Sequence, residues 1–100
     1  MIHLIAIVTA KQGRRAELLE LVKANAPKVR DEIGCIEYSP VVDAPSSAAH
    51  YGEDTFLVIE KWHDEAALAA HRAAPHMAAY AAAGGHLIEN RAIHLLRAAD

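Results

Sequence analysis

Two short stretches of this chain carry large apolar side chains at both alternating positions, and they constrain everything else. In Thr55–Trp62 (TFLVIEKW), Phe56, Val58, Glu60 and Trp62 alternate with Thr55, Leu57, Ile59 and Lys61. A run of β-branched and aromatic residues bounded by Asp54 and Asp64 predicts a strand. Ile2–Val8 (IHLIAIV) shows the same two-sided apolarity and predicts a second one. A strand with one wet face alternates cleanly, so apolarity on both parities predicts strands covered on both sides.

The remaining elements follow from period and punctuation. Lys11, Gln12 and Gly13 make a turn. From Arg14 to about Ile33, Leu18, Leu19, Val22, Ala26, Val29 and Ile33 recur at helical intervals. Pro27 lies inside that pattern and predicts a kink or two abutting helices. Gly34 suits a left-handed cap. Cys35–Val42 reads as a strand that Pro40 confines to an edge or bulge. Asp43–Asp54 is a loop rich in Pro, Ser, Gly and Asp. After Thr55–Trp62, Asp64 offers an N-cap with Glu65 in the first turn. The Ala-rich helix that follows breaks at Pro75 and ends at Gly84–Gly85, and Leu87–Leu96 is the final strand.

The order is β-α-β-β-α-β, an α+β, ferredoxin-like arrangement with an antiparallel sheet whose middle pair is the first and third strands. Helices cover one face of that sheet. The simplest cover for the other is a second copy, so a homodimer is expected. Residues 1–100 are expected to make a single domain.

Composition narrows the function classes. An apolar share of 53% with 23% charged residues describes a globular chain, not a disordered one. A net charge of −3 offers no electrostatic footprint for nucleic acid, and no apolar run approaches a membrane span. The amino terminus enters a strand without signal-peptide order, which makes the cytoplasm the expected location. A single cysteine leaves no internal disulfide, and no Cys/His cluster has metal-site spacing.

Three segments carry a family resemblance: Gly34-Cys35-Ile36-Glu37-Tyr38-Ser39-Pro40, then Phe56 to Trp62, then Leu68-Ala69-Ala70-His71 with Pro75-His76-Met77 and Tyr80. In combination they resemble the antibiotic biosynthesis monooxygenase (ABM) family, above all its small bacterial quinol monooxygenases, across essentially the whole chain. The resemblance implies a dimeric α+β barrel of two ferredoxin-like subunits packed sheet to sheet. It also implies oxidation of a small hydroquinone or polyphenol by dioxygen, with no metal, prosthetic group or other cofactor.

Such chemistry needs a substrate that reduces dioxygen itself, and a phenolic anion gives up an electron far more readily than the neutral phenol. The protein must supply a base, an apolar shelter and donors for the anion. Histidine titrates nearest to neutrality, so the catalytic candidate is His71, three residues after Leu68 on one helix face. Its alternative reading is a buried histidine bonded to a backbone carbonyl or to Glu60. His76, at a helix start, is either a second polar group of the pocket or a packing residue. Trp62 is either the wall against a flat ligand or core, and Phe56 is either a substrate contact or, as favoured, core. Glu60 is expected to be paired or to have a raised pKa, most simply in a cross-strand ion pair. Tyr38 either donates to a substrate oxygen or fills the core. Met77 and Tyr80 line the pocket mouth or pack. Cys35 reads as a small buried hydrophobe, and His3, His50, His63, His86 and His94 are assigned no role.

Three rivals remain. Haem binding and degradation belongs to a sister branch that uses an asparagine on the first strand, and Ile2–Val8 has none. An isomerase of a small oxygenated signal molecule would want a more polar pocket. A binding module without turnover is separable only by assay.

Overall fold

In the computed structural model, which describes residues 1–100, the doubly apolar stretches become β1 (Ile2–Ala10) and β3 (Thr55–Trp62). They pair antiparallel from Ile2 opposite Trp62 to Thr9 opposite Thr55. β2 (Cys35–Val41) and β4 (Ile88–Leu96) flank them in the order β2-β3-β1-β4, so the predicted middle pair is the observed one. Leu4, Ala6, Val8, Phe56, Val58, Glu60 and Trp62 share the helix-covered face, and none exceeds 7% exposure. On the opposite face Ile5, Ile7, Leu57 and Ile59 are half-buried, screened by neighbouring strands but lacking a helix above them.

One helix, α1, runs Arg15–Arg30 and buries Leu18, Val22, Ala26 and Val29, the stripe its spacing predicts. It runs unbroken through Pro27, so the alternative of two abutting helices does not occur. Its end differs too. Asp31 caps the helix in a right-handed conformation, and Ile33, read as the last residue of the stripe, is 95% exposed in the following turn. Gly34 is left-handed (φ 84°) but lies in that turn rather than at the cap. A Cβ there would stand 2.5 Å from the Ala67 Cβ, so close approach and backbone conformation both demand glycine.

β2 occupies an edge, the place where a strand proline such as Pro40 is tolerated, and the register shifts between Cys35 and Glu37. Asp64 caps α2 (Glu65–Arg72), its carboxylate accepting from the Ala67 amide at 2.8 Å. Pro75 forces the break: Ala74 before it is extended (φ −66°, ψ 140°), and α3 (Pro75–Gly84) starts with proline in its first turn. A short 3₁₀ turn, Gly85–Leu87, leads into β4. The result is a ferredoxin-like α+β fold with its second helix in two pieces. No helix is long and apolar enough to cross a membrane.

Candidate active site

The break between α2 and α3 leaves a cleft of about 880 Å³ between these helices and the sheet. Leu4, Ala6 and Val8 of β1 and Phe56 and Val58 of β3 line its floor. Tyr38, Glu60, His71, Met77 and Tyr80 also face it, and Arg72 and Arg91 stand at the rim. The lining is mostly hydrophobic; its polar groups are Glu60, His71 and Arg72 on one side and Glu89, Asn90 and Arg91 of β4 on the other.

His71 anchors the first of these sides. Leu68 and His71 share the inner face of α2, which buries the imidazole. Its Nδ1 lies 2.9 Å from Oε2 of Glu32, in the turn after α1. The same oxygen lies 2.7 Å from Nε2 of His76, in the first turn of α3. The other nitrogen of His71, Nε2, is 4.0 Å from Oε1 of Glu60. That is too long for a direct hydrogen bond. It nevertheless leaves room for one hydroxyl oxygen at about 2.8 Å from each atom.

Glu60 has no cation opposite it. Its register neighbours are Leu4 on β1 and Tyr38 on β2, so the expected cross-strand ion pair has no partner. Lys61 points to the other face and reaches Glu37 at 3.3 Å instead. The acceptor need of Glu60 is met by Trp62, whose indole N–H donates to Oε1 at 2.9 Å. Burial pushes the Glu60 carboxyl up, and the Trp62 bond and the nearby His71 offset part of that rise.

Trp62 does not line the cleft. It is fully buried behind the site, its ring centroid 4.5 Å from that of His71 at 35°. It therefore acts on the cleft only through Glu60 and the His71 ring, where an aromatic face favours an imidazolium. His76 likewise lies outside the cleft and meets it through Glu32. Phe56 combines both of its readings, being fully buried and part of the floor. Tyr38 is buried beside His71, with centroids 6.0 Å apart. Burial and then the Glu60 carboxylate raise its phenol, which stays protonated and able to donate. Burial also raises Tyr80, against an opposing pull from Arg91. Met77 is steadied by Asn25, whose amide donates to its sulfur at 3.3 Å. Cys35 is half-buried rather than buried, and its thiol is pushed up chiefly by desolvation. His3, His50, His63, His86 and His94 do not line the cleft.

Sequence reasoning missed Glu32. An acid between a helix and a strand has the pattern of a solvated turn residue, and no local signal distinguishes it. Arg72 was missed for the same reason: surface cations look alike until a cleft opens beside them.

Fold and site together define a ferredoxin-like α+β protein with an apolar cleft ending in a carboxylate–imidazole cluster. The chain belongs to the antibiotic biosynthesis monooxygenase family, whose sequence model matches residues 1–83. It is 33% identical over 87 residues to the probable quinol monooxygenase YgiN of Escherichia coli K12, covering 83% of this chain and 84% of that one. Among solved structures, PA3566 from Pseudomonas aeruginosa superposes with a TM-score of 0.84 at 30% identity, covering 98% of this chain and 94% of the other. Rv0793 from Mycobacterium tuberculosis gives 0.82 at 26%, covering 99% and 95%. Family and relative together support a monooxygenase-type function.

Proposed function

We propose that this protein oxidises a small hydroquinone or polyphenol with dioxygen, using no metal or prosthetic group, and that it works as a homodimer. The observation that carries the reading is the pairing of a mostly apolar cleft, roomy enough for an aromatic ring, with His71 Nε2 held 4.0 Å from Glu60. A substrate hydroxyl in that gap gives its proton to His71 as general base. The resulting anion transfers an electron to dioxygen, and the apolar walls keep water from the reactive pair. Tyr38 steadies the developing oxyanion by donation. One hydroquinone and one dioxygen then yield one hydroxyquinone and one water, so the substrate supplies every electron. The homodimer is supported by Ile5, Ile7, Leu57 and Ile59, an apolar patch that a second copy of the sheet would cover.

Oxygen consumption with menadiol-type quinols tests the reading. His71→Ala should lose about 10²- to 10⁴-fold in rate. Equal rates in the two proteins would remove His71 from the mechanism.

A further inference from the structure

We propose that Glu32 is a positioning residue that fixes the tautomer of His71. A single carboxylate oxygen would hold two imidazole N–H groups from the two halves of the broken helix. The catalytic meaning of this inference rests on the reading of His71 as the base.

The geometry is specific. Glu32 Oε2 lies 2.9 Å from His71 Nδ1 and 2.7 Å from His76 Nε2. A carboxylate accepts and has no hydrogen to give, so both rings must present N–H towards it. For neutral His71 the proton then sits on Nδ1. Nε2 is left bare, facing Glu60 and the cleft, as a base requires. The opposite tautomer would set a lone pair against the carboxylate and point an N–H at the substrate site, which could not take a proton.

His76 completes the arrangement from outside. Since it does not line the cleft, its contribution passes through Glu32: a second donor restrains the carboxylate that orients His71. The Glu32 side chain is only 12% exposed, and a carboxylate withdrawn from water must be hydrogen-bonded to persist. The neighbouring Arg30 does not serve it, because its guanidinium donates to the Tyr38 carbonyl at 2.9 and 3.1 Å. The charged and titratable surroundings of His71 are therefore few. Glu32 lies on the α1–β2 side, Glu60 on β3, Tyr38 on β2 and His76 on α3, with Arg72 on its own helix. Once His71 accepts the substrate proton, the Glu32 carboxylate also stabilises the imidazolium.

Histidine-labelled protein and long-range nitrogen–proton NMR read this without turnover. In the wild type, the neutral His71 ring should be the Nδ1–H tautomer. In Glu32→Leu no acceptor remains between the two rings, whereas the single amide oxygen of Glu32→Gln can still accept from both. The tautomer should become mixed or reversed in Glu32→Leu and persist in Glu32→Gln. A fall of roughly 10- to 100-fold in kcat should accompany the change in Glu32→Leu with KM little changed, which a general loss of structure would not produce.

An Nε2–H tautomer in the wild type, or an unchanged tautomer in Glu32→Leu, would overturn the assignment. Should that variant fail to fold, the wild-type tautomer and Glu32→Asp decide. The shorter acid cannot span both rings, so the mixed tautomer should appear there, and an unperturbed Nδ1–H form would count against the tether. A wild type that consumes no oxygen with quinols sinks the proposed reaction instead, and the nitrogen shifts still judge Glu32.

Discussion

The two faces of the central strand pair are written in the same alphabet and meet different surroundings. One face presents Leu4, Ala6, Val8, Phe56, Val58 and Trp62, sealed under helices. The other presents Ile5, Ile7, Leu57 and Ile59, half-buried and without a helix above them. Hydrophobicity thus says that a face will be covered and leaves open by what. What separates the two faces is Glu60, an acid on the sealed side with leucine and tyrosine as its register neighbours. Its place is explained by the cleft, where burial and a designated donor hold a carboxyl close to an imidazole.

The largest test of this contrast is a charge on the open side. Ile7→Lys should place one unpaired ammonium per subunit in the proposed interface. Association should weaken by more than about 10³-fold, since each buried unpaired charge costs several kcal/mol. Sedimentation equilibrium with a circular dichroism check should find a folded monomer. Undiminished self-association would mean that this face is not where copies meet.

Smaller in effect is a matched pair of truncations on one strand. Phe56→Ala empties a fully buried site and should cost about 3–5 kcal/mol in denaturant unfolding. Leu57→Ala, on the neighbouring position, should cost under about 1 kcal/mol in dilute protein, because half-buried side chains lose less transfer energy. Its cost should grow with protein concentration. Equal losses in dilute protein would erase the distinction between the faces.

The smallest effect concerns Glu60. Burial raises its carboxyl, so the folded state keeps the proton to a higher pH than the unfolded chain does. Between about 4.3, the unfolded value, and the raised value, the folded state binds more protons. Stability therefore falls as pH climbs through that window and stays lower above it. Glu60→Gln cannot ionise and still accepts from Trp62. Its Tm should match the wild type in acid and exceed it at neutral pH, and a gap that does not change with pH would contradict the burial argument.

Much of the fold was legible in the chain because its signals are local. Two-sided apolarity marked β1 and β3 as the middle pair, Asp64 marked the start of α2, and Pro75 marked the break before α3. Legibility failed where a local pattern ran past its cause. Ile33 continues the spacing of α1 although the helix has already ended at Arg30, and strand parity grouped Trp62 with the cleft although the indole lies behind it.

By itself, then, the sequence determined which segments become strands and helices, which strands need cover on both sides, and that His71 turns inward with Leu68. Those are consequences of the two-residue and 3.6-residue periods and of proline's fixed geometry, all acting within a few residues. Only the tertiary structure decided that Glu32 meets His71 and His76, across separations of 39 and 44 residues. Gly34 lets the turn after α1 pack its backbone against Ala67 of α2, but a glycine marks only a permitted close approach, and which histidines Glu32 then meets is set by the packing of the helices.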